Sequence, residues 1–130
     1  MNIGNESTFM AGSALAGGAA RGSETCGALA GALMAIGIVA GRKRIDDVEA
    51  YQSCMKLAIE AREIFRERVG DSMCAEIQKS LMGRSYKMTD AKEREQFHHD
   101  GGHTRDKCPG VCGKAAVIAA EIIFREGLNP

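Results

Sequence analysis

The chain has 130 residues, with 17 basic and 17 acidic side chains, five cysteines and no tryptophan. That length supports one helical domain, residues 1–130, with a real hydrophobic core, so the cysteines are not needed as structural staples. The balanced charge offers no field to draw in nucleic acid or an anionic membrane, and two Tyr and four Phe make no base-stacking platform.

In chain order, residues 6–16 read as weakly helical, and Gly17-Gly18 marks a break. Ser23 reads as the N-cap of a helix over residues 24–41, with Glu24 in its first turn. The uncharged run from Thr25 to Gly41, closed by Arg42-Lys43-Arg44, superficially resembles a membrane span. Its many glycines and alanines, its marginal length and the lack of a second span make it a buried central helix instead. Gly27 and Gly31 have a GxxxG spacing, which lets another helix approach closely within the subunit or across a homodimer.

Asp46 or Asp47 can cap a long helix reaching Val69, where Gly70 ends it. On that helix Val48, Tyr51, Met55, Ala58, Phe65 and Val69 form one apolar stripe, widened by Cys54, Leu57, Ala61 and Ile64. Ser72 is the expected cap of a short helix to about Leu81, and Asp90 that of a polar helix ending at Gly101-Gly102. The last helix opens at Cys108-Pro109, where proline suits the first turn, and runs through Val111, Ala115, Ile118 and Ile122 to Gly127. No segment alternates as a strand does, so the expected class is all-α, a small bundle of about five helices around the helix at 24–41.

Three of the five cysteines, Cys26, Cys74 and Cys108, fall at helix starts. There a thiol meets unpaired backbone N–H groups and the positive end of the helix dipole, which favour the thiolate, the form that attacks disulfides and binds metals. Helix starts gather at the ends of bundles, so these three are the redox candidates, and their convergence in space is the expectation to test. Cys54, in mid-helix, reads as a packing residue. Cys112 shares a helix face with Cys108, but their spacing suits a metal or cluster better than an intrahelical disulfide. An odd thiol count, and an N-terminus without a basic leader and apolar cleavage segment, point to the reducing cytoplasm.

His98, His99 and His103 precede Cys108 and Cys112, so His99 and His103 with the two thiols are possible zinc ligands, although no paired CxxC accompanies them. The missing CxxC and CxxCH also argue against a thioredoxin-like dithiol and against covalent haem. Gly113-Lys114 lacks the remainder of a phosphate-binding loop.

At Cys26-Gly27-Ala28-Leu29-Ala30-Gly31 and the following Ala32-Leu33-Met34-Ala35-Ile36-Gly37 the chain resembles the C-GCAxxG-C-C family of small redox-active proteins. The resemblance extends through Phe65, Gly70 and Cys74 to Cys108-Pro109 and the alanine-rich helix Ala115 to Ile122. It implies a helical domain with a redox or metal-binding role. Family members usually carry another cysteine upstream of the motif, and here none precedes Cys26. Cys112 stands where the family pattern has an apolar residue, so it either replaces the missing ligand or fills the core. Two functions are carried forward. One is a redox or electron-transfer protein, acting with a redox partner protein, that uses Cys26, Cys74, Cys108 and Cys112 as an iron–sulfur or zinc site or as a reversible disulfide. The other is a non-catalytic helical assembly protein whose thiols pack and whose partner is a second copy.

Overall fold

The computed structural model describes residues 4–128. It contains six α-helices: α1 (Glu6–Gly12), α2 (Gly27–Ala40), α3 (Val48–Val69), α4 (Cys74–Met82), α5 (Ala91–His99) and α6 (Cys108–Arg125), with a 3₁₀ turn at Ser13–Leu15. No strand occurs among the described residues beyond an isolated antiparallel bridge, Thr25 to Met73, so the class is all-α.

Where a side chain can cap its own helix, the predicted start holds. The Asp47 carboxylate accepts from Ala50 N at 3.0 Å, and that of Asp90 accepts from Lys92 N and Glu93 N at 2.9 and 3.0 Å. Each satisfies N–H groups that a helix start leaves unpaired. Pro109 lies in the first turn of α6 as expected. The start of α2 differs from expectation. Ser23 has a φ of +60°, outside a helix entry, and α2 begins three residues later with Cys26 as its N-cap. Likewise Met73, not Ser72, caps α4, while Asp71 accepts from Met73 N at 2.7 Å.

The core is made where α2, α3 and α6 pack together. Leu29, Ala32 and Ile36 of α2, Ala61 and Phe65 of α3, and Val111, Ala115, Ile118, Ala119, Ile122 and Ile123 of α6 are buried in one cluster, joined by Ile77 of α4. A smaller cluster of Tyr86, Met88 and Phe97 sits between α4, α5 and the start of α6, with Met82 and Cys108 against it. α2 is thus central, as its composition implied. Among the described residues, no helix is long and apolar enough to cross a membrane.

Two packing expectations are corrected within the subunit. There Gly27 permits a close approach by the backbone of Leu15, not by another of the six α-helices, and a Cβ on Gly31 would meet nothing within 4 Å. On α3 the buried face is the set Cys54, Leu57, Ala61, Ile64 and Phe65, whereas Val48, Tyr51 and Met55 are exposed. Both sets recur at helical spacing, so periodicity alone could not choose between them; the position of α2 and α6 does. Phe65→Ala should therefore lower stability by about 3–5 kcal/mol, while Met55→Ala changes it by less than about 0.5 kcal/mol, as read from urea denaturation midpoints.

Candidate functional site

The loops that lead into α2 and α4 run antiparallel for a few residues. Cys26 N donates to Ser72 O at 2.9 Å, Cys74 N to Glu24 O at 2.6 Å, and Ala75 N to Ser23 O at 3.1 Å. Thr25 and Met73 are consequently the close, non-hydrogen-bonded pair of the bridge. Side chains alternate faces along such a pair, so Cys26 and Cys74 leave it on the same face, as diagonal neighbours. Diagonal residues have Cα atoms about 7–8 Å apart. That separation lies just beyond the range over which a disulfide closes without backbone movement.

A left-handed turn backs this bridge. Gly17, Gly18, Ala19, Ala20 and Arg21 have φ of +67°, +72°, +47°, +49° and +65°. For the three non-glycine residues this conformation costs roughly 1–2 kcal/mol each. Backbone hydrogen bonds offset the cost: Ala19 N to Leu15 O, Ala20 N to Ala14 O, Arg21 N to Ala16 O, Ser23 N to Gly17 O and Glu24 N to Gly18 O, at 2.7–3.3 Å. Gly18 lies so near the site that a Cβ there would stand 2.6 Å from the Cys74 Cβ and 2.8 Å from Glu24 N. Glycine is required there both by space and by φ. The left-handed turn had no signature in the sequence beyond the two glycines.

The third thiol arrives with α6. Cys108 N donates to Gly102 O at 3.3 Å, and the Lys107 ammonium donates to Leu81 O at 2.6 Å, which ties the start of α6 to the end of α4. Cys26 and Cys74 are buried, Cys108 is half-buried and Cys112 is exposed; all five cysteines, Cys54 included, are free thiols. Cys54 packs against the main core, as expected of it.

Cys74 and Cys108 are not activated in the way their helix-start positions implied. Burial, reinforced by the charges that Cys26 and Cys108 would carry, pushes the Cys74 thiol up to about 11. Burial, with Cys26 and Cys112, also pushes Cys108 up, and burial with Cys26 does so for Cys112. The reason is visible in the backbone. At the start of α4 the N–H groups of Cys74 and Ala75 already donate to Glu24 and Ser23, and at the start of α6 that of Cys108 donates to Gly102, leaving fewer donors for a thiolate. A helix dipole contributes about 0.3–1 kcal/mol. The displacement at Cys74, from 9.0 to about 11, corresponds to about 3 kcal/mol against its thiolate, so burial wins. The same mutual effects show which thiols sense one another: Cys26 acts on Cys74, Cys108 and Cys112. Cys26 is the hub of the group.

The histidines form a separate feature. His98 and His103 lie ring to ring, with centroids 4.7 Å apart, and both pack edge-on against Phe97. His99 turns outward, with Nδ1 3.5 Å from the Asp100 carboxylate. His99 and His103 therefore sit in different surroundings. Among the described residues no group of three or more His, Cys, Asp or Glu side chains is arranged to hold a metal ion. The four thiols have the soft donor chemistry that zinc or an iron–sulfur cluster takes, but they are not gathered as a ligand set.

One residue near the thiols escaped the sequence reading. Gln78, one turn after Cys74 on α4, is the buried polar residue of the core, 2 % exposed, with its amide nitrogen 3.7 Å from Cys74 Sγ. A lone glutamine on a short helix carries no signal that would mark it.

The chain is thus a small all-α bundle with a central Gly/Ala-rich helix, and Cys26, Cys74 and Cys108 stand at the starts of α2, α4 and α6. Over residues 1–122 the chain matches the family described as "Putative redox-active protein (C_GCAxxG_C_C)", and it belongs to that family. No curated protein matches the chain, and neither does any solved structure.

Because the fold favours the protonated form of Cys74, the stability this thiol contributes is complete below the ordinary value of 9.0 and is lost as pH rises through about 11. Urea denaturation midpoints should fall across that interval by an amount worth about 2–3 kcal/mol. The same series on Cys74→Ser should show a visibly smaller fall.

Proposed function

We propose that the chain carries electrons on its clustered thiols, with Cys26 forming a reversible disulfide to one of Cys74, Cys108 or Cys112. The observation that carries this reading is the placement of Cys26 at the bridge, where it and Cys74 leave on one face. In the oxidising direction two thiols lose two protons and two electrons to an oxidised partner, and one S–S bond forms; a thiol-bearing or other two-electron reductant reverses it. Burial moves the ionisation of Cys74 and Cys108 further above neutral pH, so the thiolate that attacks a disulfide is scarce and the site reacts slowly without its redox partner. Closing the bond requires a shift of backbone next to Cys26, and the left-handed turn just before it is the strained element poised to give. A cytoplasmic setting, which keeps idle thiols reduced, agrees with this chemistry.

The test is oxidation of anaerobically purified protein with a small excess of oxidised dithiothreitol or diamide, followed by peptide-resolved alkylation. The expected result is loss of two thiols, Cys26 always among them, recovered fully by reductant. Five alkylatable thiols after oxidation would overturn the disulfide reading. Iron or zinc retained at stoichiometric amounts in the same preparation would replace it with a thiolate-bound metal or cluster.

Assembly as a homodimer has its own support. Val48, Tyr51, Met55 and Ile59 lie exposed along one face of α3, three to four residues apart, the spacing of a helix–helix seam. A second copy of α3 would cover that stripe. Sedimentation equilibrium is expected to give a dimer for the native chain and a monomer for Met55→Glu; a native monomer at high micromolar concentration ends this reading and leaves the thiol chemistry untouched.

A further inference from the structure

We infer that Gln78 is a positioning residue for the thiol site, holding a hydrogen-bond donor on Cys74 Sγ; this rests on the reading of Cys74 as a working thiol. The Gln78 side chain has two polar ends and almost no access to water. Its amide oxygen accepts from Tyr86 N at 2.9 Å, and its amide nitrogen lies 3.7 Å from Cys74 Sγ. The two ends cannot be exchanged. A backbone N–H can only donate, so facing it with the amide nitrogen would oppose two donors in a buried place. Tyr86 N therefore dictates that the oxygen points to the loop, and the nitrogen to the sulfur.

The consequence is specific. An amide N–H aimed at sulfur favours the thiolate and fixes the direction of the Sγ lone pairs, opposing the burial that disfavours ionisation. Tyr86 is itself pinned: its ring packs edge-on to Phe97 with centroids 5.4 Å apart, and its hydroxyl donates to Asp100 at 2.7 Å. Cys108 packs against the same Tyr86 and Phe97 cluster. Gln78 thus couples the Cys74 sulfur to the loop at residues 83–90 and, through it, to the surroundings of a second candidate thiol.

A role confined to anchoring Tyr86 and a role at the sulfur predict opposite changes. Native full-length protein is labelled with iodoacetamide at pH 8.5 and digested with trypsin, which leaves Cys74 alone in the peptide 69–79 and Cys26 alone in 22–42. In Gln78→Met the donor is lost, and Cys74 labelling is expected to slow about three- to tenfold, with Cys26 labelling unchanged. In Gln78→Glu the acceptor for Tyr86 N remains while a carboxylate replaces the donor, and the same slowing, or a greater one, is expected. If Gln78→Met fails to fold, Gln78→Leu, which also lacks both polar ends, decides in its place. Were Gln78 only an anchor, Gln78→Met would open the loop and speed Cys74 labelling; labelling at or above the native rate in folded Gln78→Met overturns the inference, whereas slowing in Gln78→Glu follows on either account, because a carboxylate beside the sulfur opposes its ionisation by itself. The labelling result stands apart from the oxidation experiment, since loss of the disulfide reading would not alter the rate at which Cys74 ionises.

Discussion

Three backbone hydrogen bonds between the loops before α2 and α4 hold the thiol site together, and each has two effects. Cys26 N to Ser72 O, Cys74 N to Glu24 O and Ala75 N to Ser23 O join segments about fifty residues apart. They put two cysteines on one face of a bridge. They also consume N–H groups that a helix start ordinarily leaves free, so the helix that delivers Cys74 delivers it without its usual anion-stabilising donors. Placement and reactivity are thereby set by the same contacts, in opposite directions.

The balance explains the chemical character of the site. A reactive cysteine needs its thiolate, and here burial outweighs the helix dipole at Cys74 by a factor of about three or more. What remains in favour of ionisation is the Gln78 amide, held in orientation by a backbone donor it cannot avoid. Such a site is quiet when closed and depends on local movement to react. The left-handed turn from Gly17 to Arg21 is a strained segment in direct contact with it, since Gly18 touches the Cys74 side chain. The three-helix core of α2, α3 and α6 stays apart from these events; its buried Ile, Phe and Ala side chains supply the stability from which that strain is offset.

The resemblance carried by Cys26 to Gly31 holds, since the family covers residues 1–122. The chain nevertheless lacks any cysteine before Cys26. In place of an upstream helix thiol, the segment before the motif contributes the left-handed turn, the carbonyls of Ser23 and Glu24, and the Ser23 hydroxyl, which donates to Tyr86 O at 3.4 Å. Cys112 is an exposed free thiol one turn after Cys108 on α6.

Features written within one turn of the chain were determined by sequence alone. Asp90 caps its helix, an aspartate at 46 or 47 caps α3 (the structure uses Asp47), Gly70 ends α3 at a φ of +106°, and Pro109 opens α6, because each depends on partners no more than four residues away. Helical class and the central place of the Gly/Ala-rich segment followed from periodicity and composition. Tertiary structure alone decided which of two apolar faces of α3 is buried, that Cys26 is a cap rather than a first-turn residue, that Cys74 and Cys108 resist ionisation, and that Gln78 meets Cys74. Burial and the bridge are set by neighbours distant in sequence. The Gln78 amide shows the limit most sharply: Cys74 lies only one turn away, yet which end of the amide it meets depends on a loop that folds back onto α4.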